Sequence, residues 1–178
     1  NIRLEVGEQD SLTYIAAEKL FMRGDNDGAR RSLVNYLQTF PEGAFSSNAN
    51  FYLGSIAFAK KEFDEAVQRF KSVIASGDTK FLEESVARTA EIEYLGNDYP
   101  AALESFKRLQ IVAENPENKQ AARLGIMRCA LQTGQQKDAL LAADELLKEP
   151  KLSPELEAEA RYVRAKAYID QKQANKAL

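Results

Sequence analysis

The sequence predicts an all-α chain built from consecutive pairs of antiparallel helices, and three observations carry that prediction. Runs rich in Ala, Glu, Lys, Leu and Arg dominate, with only nine Gly and five Pro in 178 residues, a composition that favours helix over sheet. The stretch from Leu53 to Ile74 reads as two amphipathic helices joined by a tight turn at Lys60 to Glu62. Within it Gly54, Ala57 and Ala66 allow the two helices to approach closely, while Phe63, Phe70 and Val73 fill the space between them. Finally, Ala29, Ala66, Ala102, Ala139 and Ala177 recur at intervals of 37, 36, 37 and 38 residues, the mark of a repeat array.

Taken in order, residues 1–9 contain Ile2, Leu4 and Val6 in alternation, which fits a short strand or the tail of a preceding repeat. The first unit covers 10–43, with Ala16 and Ala17 in its first helix and Gly24 in the turn. Ala29, Leu33 and Tyr36 lie in its second helix, and Pro41 is the stop. The second unit covers 47–80 and the third 83–116, with Ala90, Tyr99, Ala102, Phe106 and Leu109. In the third, Asn97-Asp98 caps a helix whose first turn accepts Pro100, since the missing N–H costs nothing there. Its first helix has two possible registers, with either Glu93 or Tyr94 in the place held by Ala57. The fourth unit, 120–153, carries Ile126, Met127, Gly134, Ala139 and Leu146 and stops near Pro150. Ser153-Pro154 restarts the helix of a fifth, incomplete unit, 158–178, with Ala160, Ala165, Ala167 and Tyr168, whose second helix is expected to begin near Ala177. Starting at Asn1 without a Met and stopping inside a repeat, the chain reads as an excised part of a longer protein.

Composition removes several function classes. The net charge of -3 arises from interspersed charges, which gives no overall attraction to nucleic acid or to an anionic membrane. There is no His, and the single Cys129 falls where the repeat packs Ile56, Ile92 and Ala167, which predicts a buried, unreactive thiol. Asp25-Asn26-Asp27-Gly28 has some features of a calcium loop, but Arg23 and Val34 occupy two ligand positions, so it reads as a turn and helix start. Glu65 with Arg69, Glu84 with Arg88, Glu104 with Arg108 and Glu157 with Arg161 place acid four residues before base, which accounts for many carboxylates as helix-stabilising pairs. No phosphate loop, nucleophile elbow or apolar run of membrane-spanning length is present. Neither cofactor, metal nor catalysis is expected.

In order and spacing, the residues from Leu53 to Ile74 resemble a tetratricopeptide repeat (TPR), and the likeness recurs through all five units. The resemblance implies a right-handed superhelical solenoid whose first helices line a concave groove. The groove positions fall on Tyr14, Glu18, Phe21 and Met22, then on Phe51, Ser55 and Phe58. Further on they fall on Glu91 and Tyr94, on Leu124, Arg128 and Leu131, and on Tyr162, Lys166 and Ile169. The implied function is a non-catalytic scaffold that binds a peptide or helix of a partner protein in this groove. An aromatic stripe rimmed by charge is the physical signature of such a surface, although each ring also has a reading as packing against a neighbouring helix. Glu18 and Glu91 would make one end acidic, and Arg128 and Lys166 the other end basic. The carboxylate clamp of some TPR domains is absent, because Tyr14 and Glu18 take its places. A basic group of Arg123, Arg128, Arg161, Arg164 and Lys166 is an alternative site for an acidic segment. The repeat exceeds the family's length of about 34 residues. Together with the ending Tyr36-Leu37-Gln38-Thr39-Phe40-Pro41, that excess resembles the longer-period TPR proteins of bacterial cell envelopes. That likeness implies a periplasmic or outer-membrane-associated location, with the cytoplasm as the alternative. The alternative function is a spacer or self-assembly arm, with self-association through the incomplete C-terminal repeat.

Overall fold

Four three-residue turns set the architecture. In each, the middle residue adopts a left-handed backbone: Gly24 (φ 80°), Lys61 (61°), Asn97 (59°) and Gly134 (73°). In each, the last residue donates its N–H to the carbonyl five residues back, from Asp25 to Leu20, Glu62 to Ala57, Asp98 to Glu93 and Gln135 to Ala130, at 2.8–3.0 Å. So short a link forces the flanking helices to run antiparallel. The shared pattern also fixes the register of the third unit, where Glu93, not Tyr94, holds the position of Ala57. Asp25 and Asp98 further accept N–H bonds from Gly28 and Ala101, the side-chain caps expected at helix starts.

The structure, a computed structural model, describes residues 2–77 and 80–176. Among the described residues it holds nine α-helices and no strand. The helices are α1 (Ile2–Met22), α2 (Asn26–Thr39), α3 (Ser46–Ala59), α4 (Phe63–Ser76), α5 (Leu82–Leu95), α6 (Tyr99–Val112), α7 (Pro116–Gln132), α8 (Gln136–Leu146) and α9 (Pro154–Lys176). They divide into two compact units, 1–85 and 86–178.

In the first unit α1 packs on α2, α2 on α3 and α3 on α4. Its core is Tyr14, Ala17, Ala29, Leu33, Tyr36, Ala49, Tyr52, Leu53 and Ile56, continued by Ala66, Phe70 and Val73. The expected close approach is real at Gly54, where an added Cβ would lie 2.8 Å from the Phe70 ring. The α2–α3 link is tied to α1 by a buried carboxylate. Asp10 accepts the Tyr36 hydroxyl at 2.6 Å and the Ala44 N–H at 2.9 Å, and the Tyr36 oxygen accepts the Phe45 N–H at 3.0 Å. Burial and the Asp10 bond push the Tyr36 phenol up to about 12.

In the second unit α6 packs on α7, α7 on α8 and α8 on α9. Leu103, Met127, Cys129, Ala139, Ala143, Leu146 and Val163 build its core. Phe106 lies over Gly125 so closely that a Cβ there would fall 2.4 Å from the ring. Burial pushes the Cys129 thiol up to about 11, in keeping with its expected inert role.

The structure differs from the sequence expectations in several places. Residues 2–9 belong to helix α1 and form no strand. Pro116 starts α7, capped by Asn115, which accepts the Glu117 N–H at 2.7 Å, so it opens a helix as well as following one. The turn that the period places after Asp170 does not form, and α9 continues to Lys176. Its segment Asp170-Gln171-Lys172-Gln173-Ala174 contains neither Gly nor Pro and is rich in helix formers, so nothing local breaks the ladder. Ala177, the fifth anchoring alanine, lies outside the described residues. Of the i,i+4 pairs, Glu65 with Arg69 and Glu157 with Arg161 form, whereas Glu104 pairs with Lys107 three residues on; Arg88 also meets Glu91.

Candidate partner-binding surface

In the first unit the surface is built by α1 and α3. Glu18, on α1, receives two phenols at one carboxylate oxygen: Tyr14 from its own helix at 2.6 Å and Tyr52 from α3 at 3.0 Å. Asn48 donates to the Tyr14 oxygen at 3.2 Å, so four side chains form one chain of bonds between two first helices. Burial, then the bond to Glu18, raises the pKa of both phenols, that of Tyr14 strongly. Both remain hydrogen-bond donors at neutral pH.

Around this polar network the rings stack. Phe21 meets Tyr52 at 4.6 Å between centroids, Tyr14 lies parallel to Phe45 at 4.4 Å, and Phe51 lies nearly parallel to Phe81 at 4.1 Å. Tyr14 is only 2% exposed and belongs to the core. Phe21, Phe51 and Phe58 are half-buried, each fixed on one side and accessible on the other, with Phe58 against Phe63 at 5.9 Å. Ser55 turns its hydroxyl to the Phe51 carbonyl at 2.9 Å. Met22 is largely exposed.

In the second unit the surface is built by α5, α7 and α9. Arg128, on α7, grips Glu159 of α9 through two nitrogens at 2.6 and 2.7 Å and lies near Tyr94 of α5. The pair raises the Arg128 pKa and lowers that of Glu159. Leu124 and Leu131 are half-buried, Glu91 pairs with Arg88 at 3.0 Å, and Tyr162, Lys166 and Ile169 are exposed on α9.

The arginines of the expected basic group are answered from within the chain, whereas its Lys166 is exposed. Arg128 is neutralised by Glu159, Arg123 by Glu149 at 2.8 Å, Arg161 by Glu157 at 2.6 Å, and Arg164 faces Asp144 at 3.6 Å. An acidic segment would have to displace these carboxylates, which explains why the arginine count overstates the basic character of this face.

Sequence reasoning brought Tyr14 together with Glu18, and Tyr94 with Arg128, but missed Asn48, Tyr52, Phe45, Phe81 and Glu159. The signal was spacing across repeats. Glu18 reaches Tyr52 over 34 residues, one repeat less about a turn, and Arg128 reaches Glu159 over 31, one repeat less about two turns, separations at which successive first helices lie side by side. Among the described residues no helix is long and apolar enough to cross a membrane.

Residues 16–79 match the family model of the tetratricopeptide repeat. No curated protein sequence matches the chain significantly. Solved structures share its fold. YrrB, a TPR protein with an unusual peptide-binding site, has a TM-score of 0.67 at 18% identity, over 93% of this chain and 79% of that one. A tetratricopeptide repeat protein from Parabacteroides merdae ATCC 43184 gives 0.68 at 17%, over 95% and 64%. MamA gives 0.64 at 17%, over 96% and 92%. Such repeats generally act as non-catalytic scaffolds for protein–protein interaction. Residues 16–79 therefore belong to the tetratricopeptide repeat family, and the chain has the all-α, helical-solenoid fold of tetratricopeptide repeat proteins.

Proposed function

We propose that this chain is a non-catalytic TPR scaffold whose first helices bind an extended or helical segment of a partner protein. We take residues 10–43, 47–80, 83–116 and 120–153, with 158–178, as the repeats of one array. The observation that carries the reading is the set of half-buried rings in the first unit. Phe21, Phe51 and Phe58 are each held by another aromatic on one side, so a partner gains apolar contact without having to order them. Ser55 is a polar neighbour of these rings in the first unit, and Glu91, Tyr94, Leu124, Leu131, Tyr162 and Lys166 are the candidate contacts within the second. Tyr14, Glu18 and Arg128 hold the helices that present them. The peptide-binding site of YrrB supports the class of partner.

The test is a peptide library panned against the chain, followed by titration of the selected peptide with Phe51→Ala and Phe58→Ala. Each substitution is expected to weaken binding by about 1 kcal/mol or more while circular dichroism shows the helices intact. Undiminished affinity in both folded variants would remove the assignment.

A second reading, self-assembly, is favoured by Leu12, Ile15 and Met22 along one side of α1, of which Leu12 is 68% exposed. Sedimentation of the wild type and of Leu12→Glu separates the two. A self-associating chain would lose its larger species in the variant, and a monomeric wild type would end this reading.

A further inference from the structure

The two oxygens of the Glu18 carboxylate are in different situations. Oε1 accepts both phenols, from Tyr14 at 2.6 Å and Tyr52 at 3.0 Å, so both of its lone pairs are engaged. Oε2 accepts no hydrogen bond from the described residues, and none of their lysines or arginines pairs with Glu18. The phenols are neutral donors, so they satisfy one oxygen without answering the charge. Other acids of the chain are treated differently. Half-buried Glu65, Asp138, Glu149 and Glu159 each meet a base, and buried Asp10 has both oxygens bonded. Glu18 is half-buried as well, which removes part of its water and makes an unanswered charge costly.

The surroundings narrow the kind of cation that fits. Phe21 follows Glu18 by three residues on the same side of α1, and its ring packs on Tyr52, the tyrosine that bonds Glu18. Tyr52 meets Phe51 at 5.8 Å, and Phe51 lies on Phe81. Glu18, Phe21, Phe51 and Phe81 are all half-buried, so carboxylate and rings share one accessible surface inside the first unit. These rings already meet an ammonium, since Lys80 Nζ lies 4.7 Å from the Phe81 centroid. An arginine gains its advantage over lysine by gripping both oxygens of a carboxylate at once. With Oε1 saturated that grip is closed, whereas an ammonium needs a single oxygen, and the stem of a lysine has rings to lie on.

We propose that the partner segment carries a lysine whose ammonium binds the free oxygen of Glu18 while its aliphatic stem lies against Phe21. The inference rests on the first-helix binding surface proposed above and names the chemistry which that surface reads. Glu18 then has two roles: one oxygen joins α1 to α3, and the other receives the ligand.

The probe is a random peptide library panned against the full chain, followed by titration of the tightest selected peptide and of copies with glutamine or arginine in place of its lysine. Selected peptides are expected to share a lysine beside a large apolar residue. Glutamine in its place should weaken binding about five- to tenfold at low salt, and arginine should give no gain. In the protein, Glu18→Gln keeps an oxygen for both phenols and so retains the fold; against it the lysine and glutamine peptides should bind equally. A lysine effect of the same size in wild type and Glu18→Gln puts that lysine elsewhere and overturns the proposal. Arginine binding markedly more tightly than lysine overturns it too, a result that needs no altered protein. Selected peptides that lose affinity with Phe51→Ala and Phe58→Ala yet carry no lysine also overturn it, while leaving the binding surface standing. If no peptide is selected, the binding surface falls and the inference with it.

Discussion

At the scale of single residues, one backbone position recurs four times and is filled unequally. Gly24 and Gly134 adopt the left-handed turn conformation without strain, whereas Lys61 and Asn97 carry a side chain there. Lysine is the worse fit, because asparagine's short amide tolerates this region. Lys61→Gly is expected to stabilise the chain by about 0.5–1 kcal/mol, read as an upward shift of the urea midpoint, and a lower midpoint would refute the strain argument. The opposite sign holds at Gly54 and Gly125, where the missing Cβ makes room for Phe70 and Phe106. Alanine at either is expected to cost about 1–3 kcal/mol, since a ring in a close-packed core has little room to shift. Gly54 was legible from the sequence as a close-approach site. Gly125 was not, because it contacts the second helix of the preceding unit and its spacing within its own unit gives no sign of that.

At the scale of elements, side-chain networks do what the short turns do not: within each compact unit they tie one helical pair to the next. Asp10 and Tyr36 hold the α2–α3 link through three bonds. Tyr36→Phe removes the hydroxyl that serves as both donor and acceptor and is expected to cost about 1–3 kcal/mol in chemical denaturation. The sequence showed Tyr36 and Pro41 as a helix ending, but not Asp10 as its partner, which lies 26 residues away in another helix. Between α7 and α9 the tie is Arg128 with Glu159. The folded-state pKa of Glu159 is lowered, so its contribution is present above the ordinary carboxylate range and is lost as pH falls through the depressed value. After allowance for solvent screening, Glu159→Gln is expected to cost about 1 kcal/mol at neutral pH. The gap between this variant and the wild type should close in acid, and a gap that stays constant from neutral to acid pH would show that the lost charge is not its source.

At the scale of the whole molecule, the repeat was the most legible feature. Small residues recur at fixed spacing because two helices can approach closely only where one side chain is small, and that requirement returns in every unit. The bonds between successive first helices were not legible, because their partners sit on surfaces that only the stacking brings together. The end of α9 was misread for a related reason: a period is an average over units and does not oblige every one of them to turn at the same place. Gly54 and Gly125 share no partner, so the stability losses of Gly54→Ala and Gly125→Ala are expected to add in the double variant to within about 0.5 kcal/mol, measured by denaturant titration. A larger discrepancy would reveal coupling between the two sites. The lone sulfhydryl of the chain also has a practical meaning. With Cys129 sealed between helices and its proton tightly held, an alkylating reagent can react only when the α7–α8 hairpin comes apart. The speed of its modification is therefore a clock for the breathing of that hairpin, readable by mass alone and without any engineered label.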